Sequence, residues 1–272
     1  MRQLKSPHRS RAFTLAELLI VLAIVVIIAT ITVIAVGAIS KEAKAASGKN
    51  TVIAALDAAR AYAMKNNTLV VVTFRVSYDT SEPGERQYTQ VWSSQYADST
   101  AFGGVIIDRY APIPDLPVRD LPTGIKVAGP WYDFTASGSG NTDFIWISQP
   151  EFRAIAVEGE AANAMRSFGV IFGPNGDLRT QTSETGAANL WIDYDRNGNQ
   201  LVNGSFWEYD EVFDENNVNP VPFITVYDDD KIRELRTANW SNGTVYRNEL
   251  SELINRNVDR IHFNRYSGVV LR

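Results

Sequence analysis

Residues 193–199, Asp-Tyr-Asp-Arg-Asn-Gly-Asn, set oxygen donors on alternate positions and follow them with glycine. Asp193, Asp195 and Asn197 in that pattern look like the first half of a calcium loop, where carboxylate and amide oxygens replace the water around a hard cation. A full EF-hand loop would need a bidentate Glu where Gly204 stands, so that loop is excluded; Glu208, Asp210 or Glu211 would have to close a different one. The same residues also read as an acidic Asn-Gly hairpin without a metal. Asp228-Asp229-Asp230-Lys231 reads as a solvated turn.

Other chemistry has less to work with. The 272 residues include no Cys, which excludes disulfides, thiolate metal sites and cysteine nucleophiles. His8 and His262 are the only imidazoles, far apart in sequence, and no nucleophile elbow or Gly-rich phosphate loop is present. Carboxylates are plentiful, but nothing marks one pair as acid and base. The expectation is that the protein is not an enzyme. Six Trp, at 92, 131, 146, 191, 207 and 240, would suit a sugar-binding platform if exposed, and sheet cores if not.

Glu17 stands out more sharply. Residues 1–12 hold Arg2, Lys5, Arg9 and Arg11 and no acid. From Leu18 to Ile39 the chain then carries no charge, with only Thr30, Thr32 and Gly37 interrupting the apolar run. Such a run at helical rise spans roughly 33 Å, enough for a bilayer core, with the basic stretch held on the cytoplasmic side. It is too long for a secretory signal peptide, and a plain anchor leaves the carboxylate of Glu17 unexplained at the edge of hydrocarbon. A cut before Phe13 would create an α-amino group one helical turn from Glu17.

The string Ala12-Phe13-Thr14-Leu15-Ala16-Glu17-Leu18-Leu19 resembles the prepilin-type leader of type IV pilins and type II secretion pseudopilins. The resemblance implies cleavage between Ala12 and Phe13 by a prepilin peptidase, N-methylation of Phe13, and a role for Glu17 in neutralising the N-terminus of a neighbouring subunit during assembly. Ala12 departs from the family, which usually has Gly there. It also lends the calcium reading context, because major pseudopilins bind that ion.

Beyond the apolar run, Val52, Leu56, Ala59 and Ala63 recur at helical spacing, Asp57, Arg60 and Lys65 take the polar side, and Asn66-Asn67 predicts a stop. One helix from Phe13 to Asn67 is expected, all-apolar at first and amphipathic later. Residues 50–67 followed by Val70-Val71-Val72-Thr73-Phe74 resemble the H-type minor pseudopilins and related minor pilins, with fainter echoes at Phe172–Asp177 and at the C-terminal end. The rest alternates as strands, among them 69–76, 87–93, 104–109, 143–148, 168–173, 189–193, 222–228, 260–265 and 268–272, with a helix near 248–255. The Pro-rich stretch from Ala111 to Pro122 reads as an extended surface loop, and 150–166 is left open between helix and strand.

The expected fold class is therefore α+β and pilin-like: a leader at 1–12, a transmembrane half-helix at 13–40, an amphipathic half at 41–67, and a β-rich periplasmic head at 68–272 with an insertion around 77–135. Removing the leader turns a net charge of −5 into 22 basic against 31 acidic residues, or −9, which argues against nucleic acid as a partner. The resemblance implies a minor pseudopilin of a type II secretion pseudopilus in the bacterial inner membrane. Its partners would be the prepilin peptidase, other pseudopilins or pilins, and the inner-membrane assembly platform. Two alternatives stand beside it: a minor type IV pilin used in adhesion, motility or DNA uptake, and a membrane-anchored binding domain that never polymerises.

Overall fold

The computed structural model describes residues 15–79, 86–102, 105–131, 145–148, 166–180, 189–194, 196, 217–237 and 243–271, without the side chains of 29–41 and of several strand and helix ends. The chain divides after Lys44 into two units. Helix α1 runs Leu15–Asn66 and ends at Asn67, whose φ of 51° is the left-handed conformation that stops helices. In the first unit every large apolar side chain from Leu15 to Ile28 is exposed, by 50% to 77%. Among the described residues no helix is long and apolar enough to cross a membrane. Residues 15–28 alone cover about 21 Å at helical rise, short of a bilayer core of about 30 Å.

In the second unit α1 leads into β1 (Val70–Asp79), β2 (Arg86–Phe102), β3 (Val105–Pro112), β4 (Arg119–Asp120), β5 (Ile125–Trp131) and β6 (Ile145–Ser148). Then follow β7 (Arg166–Phe172), β8 (Leu178–Arg179), β9 (Asn189–Ile192), β10 (Asn217–Pro220) and β11 (Phe223–Asp228). Helices α2 (Asp229–Glu234) and α3 (Gly243–Asn257) precede the last pair, β12 (Arg260–Phe263) and β13 (Val270–Leu271).

The first sheet runs β1-β2-β3-β9-β10-β7-β8, and β1 pairs with β7 as well as β2, so the pairings close into a ring. Two of its contacts, β3 with β9 and β7 with β10, are parallel. Alternation along β1 explains its two cores: Val70, Val72 and Phe74 pack with α1, while Val71 joins Tyr110, Ile171, Leu190, Ile192, Tyr194 and Val218. The cluster without helix residues therefore lies on the inner side of the ring.

The second sheet is ordered β13-β12-β11-β5-β6. One face, with Ile125, Val127, Ile224, Ile261 and Phe263, joins the α1 cluster; the other, with Ala128, Trp146 and Tyr227, is covered by Ile232 of α2 and Leu250 and Ile254 of α3. Val52, Leu56, Ala59 and Ala63 are all fully buried between the two sheets. The helix approaches closely at Gly48, where a Cβ would come within 2.6 Å of Ile125 Cγ2.

Several local readings change. The stretch from Ala111 to Pro122 is more than a surface loop: it holds the end of β3 and all of β4, and it buries Ile113 and Leu121 in the core. The acidic run at 228–231 is a helix start. Asp228 caps α2 by accepting from the amides of Asp230 and Lys231, and Asp229 is buried between Lys126 Nζ at 3.0 Å and Arg233 Nε at 2.7 Å. Strands β5 and β10 escape a sequence reading because each contains proline. Pro130 lies beyond Ala128, the last β5 residue paired with β11, and Pro220 beyond Val218, the last β10 residue paired with β9. Each proline thus has one strand neighbour, the edge-like setting that proline tolerates. The stretch 150–166, open between helix and strand in sequence, lies outside the described residues except for Arg166, which opens β7.

Candidate processing and assembly site

Glu17 lies in the first turn of α1, where the unpaired backbone N–H groups of a helix start favour an acidic side chain. It is exposed, and its neighbours Leu15, Leu18, Leu19, Ile20 and Val21 are exposed by 54% to 77%. A carboxylate in an apolar sleeve costs free energy once that sleeve is covered, unless a cation reaches it. Ala12 and Phe13, the expected cleavage and methylation residues, lie outside the described residues.

The calcium pattern is only partly described: Asp195 and Asn197 lie outside the described residues, whereas Asp193 is fully buried. Asp193 Oδ2 accepts from Arg109 Nη1 at 2.8 Å, and the same guanidinium holds Asp98 at 2.6 and 2.9 Å. The hydrogen bond to Asp98, then that to Asp193, raises the Arg109 pKa against the lowering effect of burial. One guanidinium is thus shared between Asp98 and Asp193, and among the described residues no group of three His, Cys, Asp or Glu is placed to hold a metal ion.

Trp146 and Trp191 are 1% and 0% exposed and fill cores, Trp92 is partly buried, and the side chains of Trp131, Trp207 and Trp240 lie outside the described residues. His262 is exposed on β12 and packs against the Phe223 ring. Tyr110 is fully buried inside the ring, and burial, followed by the nearby Asp108 carboxylate and Tyr96, pushes its phenol well above the ordinary 10.0. A phenol so perturbed stays neutral and supplies no base.

A feature that the sequence reading missed sits at Arg60. Expected on the polar side, it is instead half-buried, and its Nε donates to the carbonyls of Gly176 at 3.2 Å and Ser267 at 2.5 Å. The helix end is thereby tied to the β7–β8 turn and the β12–β13 turn, the same segments that carry the fainter family echoes. Glycine is required at the junction: Gly268 has φ of 63°, and a Cβ there would fall 2.1 Å from the Gly176 carbonyl oxygen. The only sequence signal for this tie was the cluster of turn residues around Gly176 and Gly268.

Residues 7–33 match the family described as the prokaryotic N-terminal methylation motif. No curated protein and no solved structure matches the chain. The matched stretch contains Ala12, Phe13 and Glu17 and stops well short of the head, so it speaks for the N-terminal segment. A motif of this prepilin type fits type IV pilin-like and pseudopilin proteins alike. It implies a membrane-anchored N-terminus, processing by a prepilin peptidase, and assembly with other pilin-like subunits.

Proposed function

We propose that the protein is an H-type minor pseudopilin of a type II secretion system, a mechanical subunit with no catalytic site and no resident cofactor. The carrying observation is the methylation motif at residues 7–33 with Glu17 in the first turn of a helix whose apolar side chains are exposed all round. The apolar run through Ile39 crosses the inner membrane, with the basic leader on the cytoplasmic side and the head in the periplasm. The prepilin peptidase cuts between Ala12 and Phe13 and the new N-terminus is methylated. An assembly platform driven by a separate cytoplasmic ATPase then extracts the subunit into a filament.

Within that filament, Glu17 of one copy meets the α-amino group of Phe13 on a neighbour. Both charges enter an apolar bundle, where an unpaired carboxylate costs several kcal/mol, so the pair selects the axial register of assembly. The H-type reading is supported by the helix end at 50–67, tied through Arg60 to the turns at Gly176 and Ser267. Glu17→Ala tests the proposal in cells that carry the peptidase and the secretion machinery. The variant should be cleaved like wild type, yet be lost from the sheared or cross-linked filament fraction. Wild-type incorporation of Glu17→Ala overturns the reading. Secretion lost with surface pili intact separates the pseudopilin from the minor type IV pilin.

A further inference from the structure

The buried aspartates of the described residues, Asp108, Asp193 and Asp229, are not equally provided for. Asp193 has the guanidinium of Arg109, and Asp229 has Lys126 and Arg233. Asp108, 4% exposed on β3, has no cation among the described residues. Its side-chain partner there is the Ser99 hydroxyl, which donates to Oδ1 at 2.6 Å. A buried carboxylate ordinarily offsets the cost of leaving water with a cation or with several donors. Arg109 comes next in sequence, but it lies on the opposite face of the strand and binds Asp98 and Asp193.

By strand alternation Asp108 shares the inner face of β3 with Tyr110. From β2 the Tyr96 ring meets the Tyr110 ring edge to face, their centres 5.8 Å apart. The Tyr96 hydroxyl is 2.7 Å from Ser99 Oγ. Ser99 gives its single proton to Asp108, so Tyr96 is the donor of that pair. This relay occupies Oδ1 and leaves Oδ2 without a partner among the described residues. Oδ2 is not fully enclosed, and it stays within reach of solvent beside the exposed Tyr96 and Ser99. The Tyr110 hydroxyl, close enough for the Asp108 charge to act on it, is enclosed and also lacks a partner among the described residues.

We propose that Asp108 is the anionic end of a site for an alkylammonium group, carried by a lysine of a partner polypeptide or by a free polyamine. One free carboxylate oxygen suits an ammonium, which is a point donor. A guanidinium grips both oxygens of a carboxylate as a fork, and Ser99 already holds one of them. Calcium takes about six to eight oxygens, more than Asp108, Ser99 and Tyr96 together offer. The Tyr96 ring adds an aromatic face, which attracts a cation through its quadrupole. The site is independent of the pseudopilin assignment, because it rests on side chains of β2 and β3 alone.

The test is an NMR titration of the isotope-labelled full chain in mild detergent with n-butylammonium chloride, at neutral pH and fixed ionic strength, read at the amides of Ser99 and Asp108. Saturable shifts are expected, half-complete at about 1–10 mM, with ethylguanidinium at least about threefold weaker and calcium weaker still. Asp108→Asn keeps the side-chain volume and an acceptor for Ser99. It should preserve the rest of the spectrum and weaken binding at least about tenfold. Tyr96→Leu, at a position 37% exposed, should keep the fold and weaken binding about threefold by removing the aromatic face. Tighter binding of a blocked glycine-lysine-glycine peptide than of putrescine assigns the amine to a partner polypeptide, and the reverse order assigns it to a free polyamine. Absence of saturation overturns the proposal, as does wild-type binding by either variant. Tighter binding of ethylguanidinium or of calcium than of butylammonium also overturns it.

Discussion

Between Leu15 and Ile28, α1 exposes every large apolar side chain; between Val52 and Ala63, the same helix buries four residues completely on one stripe. Both stretches are hydrophobic, so composition does not separate them. Period does. In the second stretch the apolar residues recur at three and four, and the chain's own sheets cover that face. In the first they surround the helix, a pattern that one packed face cannot satisfy, and lipid or neighbouring helices must cover it. Substitutions in the second stretch should therefore register in the stability of the folded head. Those in the first should register in membrane residence and assembly.

The largest effect on stability is expected from Leu56→Ala, which leaves a cavity between the two sheets. It should cost about 2–5 kcal/mol in urea unfolding of the full chain in detergent. A cost below about 1 kcal/mol would break the contrast. Arg60→Ala removes the donor shared by two carbonyls and should cost about 1.5–3 kcal/mol, a charged hydrogen bond being worth more than a neutral one. Amide exchange should quicken first around Gly176 and Ser267 if the tie is as described.

Smaller effects sharpen the comparison. The Tyr110 hydroxyl is buried without a hydrogen-bond partner among the described residues, so Tyr110→Phe should be neutral or stabilising by up to about 1 kcal/mol at pH 7. The raised phenol also gives a pH signature. The unfolded chain releases the proton near pH 10 while the folded chain retains it, so stability is full below that pH and falls as pH rises above it. Unfolding measured between pH 9 and 11 should show a shallower decline in Tyr110→Phe. Smallest of all, Leu19→Ala should change head stability by no more than about 0.5 kcal/mol, its side chain being 55% exposed in the subunit.

Much of this was legible from local pattern. The stripe at Val52, Leu56, Ala59 and Ala63, the stop at Asn67, and the alternation through Val70 to Phe74 are short-range signals, and each corresponds to a described feature. What was not legible is long-range. Nothing local tells that β1 will pair with β7 as well as β2, or that parallel contacts will close the ring. Arg60 reads as a surface cation because its partners are backbone carbonyls 116 and 207 residues away, and carbonyls leave no mark in sequence. Asp229 reads as solvated until Lys126, on a strand hidden by its glycine and proline, is found beside it. At the N-terminus the order is reversed. Motif and spacing there single out Ala12, Phe13 and Glu17, whose proposed recognition by a peptidase and a neighbouring subunit would read the chain locally.

The central claim is that this N-terminus is made by processing, and the intact mass and N-terminal peptide of the protein from peptidase-competent bacterial cells test it most directly. The account predicts a chain that begins at methylated Phe13. A chain that retains Met1, or begins at an unmethylated residue elsewhere, would contradict it.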